Sequence, residues 1–468
     1  MTEKTGRTPA EREKIFSEMP VGRALYAMAA PTVISQLINL IYNMVDAFYI
    51  GRTGDPYKMA ATTVTITLVM LNVAAGNLFG IGGGSLIARL MGLGKKEEAK
   101  AVSSFALYGS FACAALISLF TGVFREPLLR FLGASDATVA YASSYAVIVI
   151  VIGTLPAMTS MVLAHLLRNV GCAKEASFGL SGGGVLNMVL DPLFMFVILP
   201  KGMEVTGAAI ATALSNAVSC VYLLGVYRRA AKTAPLSLRP ADALAARPED
   251  RRSVFAVGIP SAVQLALFDL ANICANRLAA AHSDLTLAGL GIVMKIERIP
   301  NAVNIGICQG MMPIVAYNYS SGNRARMRET MRTARFAGLL ISGASVLLLE
   351  IFARPVSQVF LSTSAGDAEA ALATLGIAAL FLRIRALASP AQFLCYNSSF
   401  CMQAVGAGAA PLLLACLREL AMYIPFMFLL DGLFGEIGLA AALPAGEWFT
   451  AAFAVIIVRR VMKKKGAV

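Results

Sequence analysis

The sequence contains little charge. Asp, Glu, Lys and Arg make up 14% of its 468 residues, whereas a typical soluble domain has about 25%. Only two histidines are present, and no nucleophile stands beside a candidate base, so we expect no enzyme. The eight cysteines are scattered through apolar runs without metal-ligand spacing. We therefore predict reduced, packed thiols and no cofactor.

Long apolar runs occupy most of the chain, and 57% of its residues are hydrophobic. Because a helix needs about 20 apolar residues to cross a bilayer, we predict an all-α integral membrane protein with twelve transmembrane helices. The polar stretch Met1–Met19 has no apolar core, so we expect no removable signal peptide. The predicted spans are 22–50, 59–88, 101–123, 138–164, 174–199, 206–228, 253–281, 285–316, 333–353, 370–394, 410–430 and 436–458.

The distribution of basic residues predicts the orientation. Most of the 40 lysines and arginines lie in the two tails and in the even-numbered connections, as between Arg324 and Arg335. The positive-inside rule places such connections in the cytoplasm. We therefore expect a multi-pass protein of the bacterial cytoplasmic membrane with both termini inside. The basic charge follows the topology, so we expect no nucleic-acid partner.

The second half of the sequence repeats the first. Pro31 corresponds to Pro260, Gly82 to Gly310, and Pro156 to Pro390, in the same order along the chain. Because six spans return the chain to its starting side, the two copies have the same orientation and form parallel repeats. The cavity between such repeats is the expected substrate route.

This repeat predicts the domain organisation. We expect a cytoplasmic tail at residues 1–20, a first lobe of spans 1–6 at 21–229, and a cytoplasmic linker at 230–252. A second lobe of spans 7–12 follows at 253–460, and a basic tail at 461–468. The glycine-rich runs Gly80–Ser85 and Ser181–Gly184 lie within apolar spans, so they predict close helix packing rather than phosphate binding.

Two carboxylates stand inside predicted spans, Asp46 in span 1 and Asp191 in span 5. A charge in the hydrocarbon region costs on the order of 3 kcal/mol, so such residues are expected to be functional. Asn187 lies one helical turn before Asp191, and Thr212 lies at comparable depth in span 6. Oxygen ligands of this kind suit a hard cation or a shared proton. The alternative is a structural hydrogen-bond network that holds spans 1, 5 and 6 together.

The run from Tyr42 to Gly54, YNMVDAFYIGRTG, resembles the first-span signature of the MATE (multidrug and toxic compound extrusion) family. The runs Asn187–Pro192 and Gly207–Thr212 are similar to its fifth-span and sixth-span motifs, most of all in the DinF-like and MepA-like bacterial branch. The resemblance implies a secondary efflux transporter that exchanges H⁺ or Na⁺ for organic, cationic or aromatic, drugs and metabolites. It also implies that the coupling ion, whether H⁺ or Na⁺, is held by Asp46, Asn187, Asp191 and Thr212.

The second lobe departs from this pattern, because its counterparts of Asp46 and Asp191 are not acidic. It carries other charges inside its spans, among them Asp269, Lys295 and Glu297. These side chains could contact the substrate or the coupling ion, or they could form structural ion pairs. Lys295 and Glu297 are two residues apart and do not face each other, so each needs a partner on another span.

Two functions remain open at this stage. The first is a cation-coupled exporter of small organic molecules that acts as a monomer in the lipid bilayer. The second is a lipid-linked oligosaccharide flippase of the same superfamily. The acidic character of the predicted site favours the exporter, because a flippase would need basic residues to hold phosphate.

The topology prediction is that Lys58 and Lys201 are extracytoplasmic, whereas Lys96 and Arg239 are cytoplasmic. Single cysteines placed at these positions on a cysteine-free background will be labelled from one side only by a membrane-impermeant reagent. Labelling of position 239 from outside the cell would contradict the predicted orientation.

Overall fold

The computed structural model describes residues 9–360 and 368–466, and every regular element in these ranges is a helix. The first six spans are Val21–Gly51, Pro56–Gly92, Lys96–Val123, Val139–Ile152 continued by Thr154–Asn169, Ala173–Ile198, and Glu204–Ala230. Spans 7 to 10 are Pro248–His282, Asp284–Ser320, Arg324–Phe360, and Ala368–Ala386 continued by Ser389–Ala404. Spans 11 and 12 share the stretch Ala409–Lys464. Three short helices lie outside the spans: Pro9–Ser17, Arg125–Phe131 and Pro240–Ala245.

The twelve-span prediction is confirmed once the long final stretch is divided. Nine described helices are long and apolar enough to cross a membrane, and two bent helix pairs bring the number to 11. Ala409–Lys464 has 56 residues, far more than the ~20 that one crossing requires. Its helix breaks at Gly435, where φ is 58°. Only glycine adopts such a conformation readily, so Gly435 separates span 11 from span 12.

The internal repeat is visible in the shapes of the helices. Span 4 bends by 48° between Ile152 and Thr154, and span 10 bends by 47° between Ala386 and Ser389. The paired prolines Pro156 and Pro390 lie just after these two bends. Pro31 and Pro260 stand inside spans 1 and 7, whose helices continue past them without a break.

Paired glycines form the main contacts between the two lobes. Gly82 of span 2 lies against the carbonyl oxygen of Val254 in span 7, where a β-carbon would overlap it. Its repeat partner Gly310 of span 8 lies against the backbone of Ala29 in span 1 in the same way. Small residues allow helix backbones to approach closely in membranes. The prediction that the Gly80–Ser85 run serves helix packing therefore agrees with the structure.

The described close contacts between the two lobes lie in the halves of the helices that are nearest the termini. There the Ser85 hydroxyl donates to the carbonyl of Gln403 at 2.7 Å, and an Arg168 guanidinium nitrogen donates to Gln309 at 3.4 Å. Among the described residues, no hydrogen bond, ion pair or ring contact joins the lobes at the opposite end. The described contacts between the lobes are thus concentrated at the end that carries the termini.

The helix Pro9–Ser17 packs between the two lobes at the end that carries the termini. Phe16 is buried and stacks on Tyr317 of span 8, with 5.5 Å between ring centroids. The guanidinium of Arg326 in span 9 donates to the carbonyls of Phe16 at 2.6 Å and Ile15 at 3.2 Å. These bonds satisfy backbone acceptors at the helix C-terminus. The polar N-terminal tail is thus partly folded.

The predicted linker is a packed segment and not a free polar chain. The Ser237 amide donates to the hydroxyl of Ser103 at 2.9 Å, and the Tyr108 hydroxyl donates to the carbonyl of Leu238 at 2.7 Å. Both partners lie on span 3, and the short helix Pro240–Ala245 packs against the same span.

The end of the linker is tied to both lobes. Arg247 pairs with Glu98 at the start of span 3 at 2.5 Å and with Asp250 of span 7 at 2.8 Å. Arg251 of span 7 donates to the carbonyl of Leu244 at 2.7 Å. Span 7 begins at Pro248, before the predicted residue 253. The domain limits stay a prediction.

The glycine contacts predict a matched pair of stability changes. Gly310→Ala should lower the free energy of unfolding by about 1–3 kcal/mol, because its β-carbon collides with the span 1 backbone. Gly343→Ala is the control, since a β-carbon there meets open space within span 9 and alanine favours a helix by roughly 0.5–1 kcal/mol. Thermal unfolding in one detergent will compare them, and equal stability of the two variants would contradict the close-contact account.

Candidate cation site

Three of the four predicted site residues form one hydrogen-bonded group. The Asn187 amide nitrogen donates to Asp191 Oδ1 at 3.0 Å and to Thr212 Oγ1 at 3.3 Å. Asn187 and Asp191 are both buried, with 2% and 0% of their surfaces exposed. Because the two are four residues apart on one helix, their side chains share a face. Spans 5 and 6 therefore meet at this group.

Asp46 reaches the same group from span 1. Its carboxyl group lies close enough to that of Asp191 for the two to interact through space. Asp46 is half-buried, and its Oδ1 atom has no hydrogen-bond partner among the described residues. The structure thus brings together all four of the predicted residues.

Two tyrosines complete the surroundings, and the sequence analysis missed both. Tyr42 lies one turn before Asp46 on span 1, and Tyr145 of span 4 is buried beside the Thr212 side chain. Both rings are near the two carboxyl groups. The spacing of Tyr42 from Asp46 was a usable signal, whereas nothing in the sequence around Tyr145 distinguishes it from a packed aromatic residue.

Glycines in span 5 allow spans 1 and 6 to approach its backbone closely. A β-carbon on Gly183 would overlap the hydroxyl of Ser219 in span 6, and one on Gly184 would lie 3.0 Å from the Tyr42 ring in span 1. Beyond Asp191, Pro192 is followed by a π-helical turn, Leu193–Ile198. Such turns often occur at functional sites. The glycine-rich run Ser181–Gly184 therefore positions spans 1 and 6 around the carboxylates.

Three oxygen atoms of this group have no hydrogen-bond donor among the described residues. Asp46 Oδ1, Asn187 Oδ1 and Asp191 Oδ2 are buried and lack a hydrogen-bond partner among the described residues. Two neighbouring carboxylates repel each other unless a proton or cation lies between them. Carboxylate, amide and hydroxyl oxygens are the ligands that hard cations accept. One proton or one sodium ion would satisfy this arrangement.

Comparisons with known proteins agree with this architecture. The model of the family described as MatE matches the chain twice, over residues 31–193 and 260–441. These two matches cover most of the chain and begin at the paired prolines.

The chain belongs to the MATE family.

Relatives and solved structures extend the likeness over the whole chain. The multidrug export protein MepA of Staphylococcus saprophyticus is 26% identical over 446 residues, which cover 95% of this chain and 94% of that protein. A crystal structure of MATE in complex with MaL6 has a TM-score of 0.90 at 22% identity, covering 97% of this chain and 99% of that one.

A second structure, the outward-facing conformation of a multidrug resistance MATE family transporter, has a TM-score of 0.90 at 22% identity. It covers 99% of this chain and 100% of that one. At this identity both structures establish the fold, twelve helices in two lobes. MATE proteins are membrane transporters, so this chain is a transporter and not an enzyme.

The second-lobe charges of this MATE chain lie in different surroundings. Glu297 of span 8 accepts two hydrogen bonds of 2.9 Å from Arg385 of span 10, which is the inter-span partner that the sequence required. Asp269 is partly buried and lies near Arg298, and Lys295 is exposed. Glu297 therefore belongs to an ion pair within the second lobe and not to the Asp46 group.

The site predicts distinct effects for its carboxylates. Asp46→Asn and Asp191→Asn should abolish gradient-driven efflux while the protein still folds, because a neutral amide is cheaper to bury than a carboxylate. Thr212→Ala should weaken ion binding by roughly 1 kcal/mol, the value of one hydrogen bond. Efflux and thermal stability will be measured on the same purified variants.

The matched control is Asp136→Asn, which changes a carboxylate that is exposed and paired with Arg130 at 2.6 Å. It should transport normally. If the group only holds spans 1, 5 and 6 together, the Asp46 and Asp191 variants will lose stability and yield along with efflux. Full transport by a well-folded Asp191→Asn protein would exclude the coupling role.

Proposed function

We propose that this transporter is a multidrug exporter driven by a cation gradient. A proton or sodium ion bound by Asp46, Asn187, Asp191 and Thr212 is exchanged for an organic compound, cationic or aromatic, held in the cleft between the lobes. The observation that carries this proposal is the group of donor-free oxygens around the two neighbouring carboxyl groups. The multidrug export relatives support the choice of cargo.

The position of the cation site supports coupling to the cleft. Asp46 is half-buried on span 1, and span 1 also packs against span 8 of the other lobe. A helix that carries an ion ligand and also forms the contact between the lobes can respond to binding by changing that contact. Binding at the site and opening of the cleft would then be linked, as alternating access requires.

The position of the contacts between the lobes supports the proposed direction of transport. The described contacts lie near the termini, and the candidate cation site lies toward the opposite end of its spans. With the termini in the cytoplasm, this arrangement fits an outward-open state that releases cargo and takes up the coupling ion. We propose that the protein resides in the bacterial cytoplasmic membrane and acts as a monomer.

The flippase alternative receives no support from the relatives and structures described above, which are exporters and MATE transporters. The geometry also opposes it, because the polar group around Asn187 contains two carboxyl groups and no basic side chain among the described residues. A phosphate-bearing lipid would be repelled by this group.

Purified protein in proteoliposomes tests the proposal. An imposed pH gradient or Na⁺ gradient should drive uptake of a fluorescent organic cation, and the effective gradient identifies the coupling ion. Because ligand coupling is reciprocal, affinity for the organic cation should fall as the coupling ion is added. Asp191→Asn should remove this dependence, whereas Asp136→Asn should keep it. Affinity that is independent of both pH and Na⁺ in the unaltered protein would contradict antiport.

A further inference from the structure

The second lobe buries five charged side chains at similar depth. Four of them are almost completely inaccessible, with exposures of 3% for Arg385, 4% for Arg418, and 2% for both Glu419 and Glu447. The fifth, Glu297, keeps 13% of its side chain exposed. Buried charges must be paired to be tolerated. Three carboxyl groups share two guanidinium groups, so one carboxyl group has no cation of its own.

The pair formed by Arg385 and Glu297 is complete. Arg385 donates from Nε and Nη2 to the two oxygens of Glu297, both at 2.9 Å. Its remaining nitrogen, Nη1, donates to the hydroxyl oxygen of Tyr423 at 3.2 Å. A bidentate pair of this kind uses both the charge and the geometry of the arginine. Arg385 therefore cannot also neutralise another carboxylate.

Arg418 forms its hydrogen bonds with Glu447. Its Nε and Nη2 atoms donate to Glu447 Oε1 at 2.8 and 2.6 Å, and its guanidinium lies 4.6 Å from the centre of the Tyr396 ring. The distance from Arg418 Nε to Glu419 Oε1 is 3.6 Å, too long for a hydrogen bond. Arg418 is therefore shared: it donates two hydrogen bonds to Glu447, whereas Glu419 lies beside it at ion-pair distance without a hydrogen bond.

The surroundings of Glu419 leave it unsatisfied. Its Oε1 atom is buried and has no hydrogen-bond partner among the described residues. The titratable or charged groups that face it or its partners come from spans 8, 10, 11 and 12. They are Glu297, Arg385, Cys395, Tyr396, Arg418, Tyr423 and Glu447. Together with Glu419, these groups have a net charge of minus one if every carboxyl group is ionised.

The backbone around Glu419 is a π-helix. Arg418, Glu419 and Tyr423 all lie in the π-helical segment Leu417–Tyr423. Such segments often mark functional sites.

We propose that Glu419 is a proton-binding residue of the second lobe, which carries its proton at neutral pH. The proton adds to the carboxylate to form the neutral acid, and no other bond is made or broken. A neutral Glu419 leaves the buried set with two ion pairs and no net charge. This site belongs to the second lobe and does not depend on the Asp46 group or on the proposed function.

Infrared spectroscopy of the full-length protein tests the proposal directly, because protonated and ionised carboxyl groups absorb at different frequencies. The background is Asp46→Asn/Asp191→Asn, which removes the two carboxyl groups of the candidate cation site. Adding Glu419→Gln should remove the carbonyl band of one buried carboxylic acid at neutral pH. Glu204→Gln is the matched control, since Glu204 is paired with Lys58 at 2.8 Å and should be ionised. An unchanged acid band after Glu419→Gln would overturn the proposal.

A second variant keeps Glu419 in place. Glu447→Gln releases Arg418, which can then pair with Glu419 as an ionised carboxylate. The acid band should disappear although Glu419 is present, and its persistence would overturn the assignment of the proton. This variant remains informative if Glu419→Gln does not fold.

Discussion

The close approach of glycine backbones between the lobes is the contact on which the rest of the structure depends. Gly82 against span 7 and Gly310 against span 1 bring the two lobes together at the end that carries the termini. Dispersion between packed backbones replaces the hydrophobic effect as the attraction between helices in lipid. This contact lies at one end of the lobes, and the candidate cation site lies toward the other end.

The two lobes share a scaffold and differ in chemistry. Their bends, their glycine contacts and their matches to the family model occur in pairs. Their buried polar groups do not, because the first lobe places two carboxyl groups together whereas the second places arginines against glutamates. Backbone packing constrains both copies equally, but each interior can acquire different charges without disturbing the contact between them.

Sequence reasoning succeeded where local patterns determine the structure. Hydrophobic length located the twelve spans, and helical spacing placed Asn187 and Asp191 on one face. The residues it missed depend on tertiary contacts: Tyr145 comes from a span with no other site residue, and Arg385 is the partner of Glu297 from two spans further along the chain. The packed linker was also missed, because its polar composition resembles that of a flexible segment while its hydrogen bonds are made to span 3.

The bonds at the end of the linker restrict the movement of the covalent connection between the lobes. Arg247 is held by Glu98 on one side and Asp250 on the other, and Arg251 holds the carbonyl of Leu244. A loose linker would let the lobes separate by translation. A linker fixed at both ends behaves as a pivot, which permits rotation about the start of span 7 and opposes separation there. The short segment from Leu244 to Asp250 would thus set the axis of the rocking motion that the proposed alternating access requires.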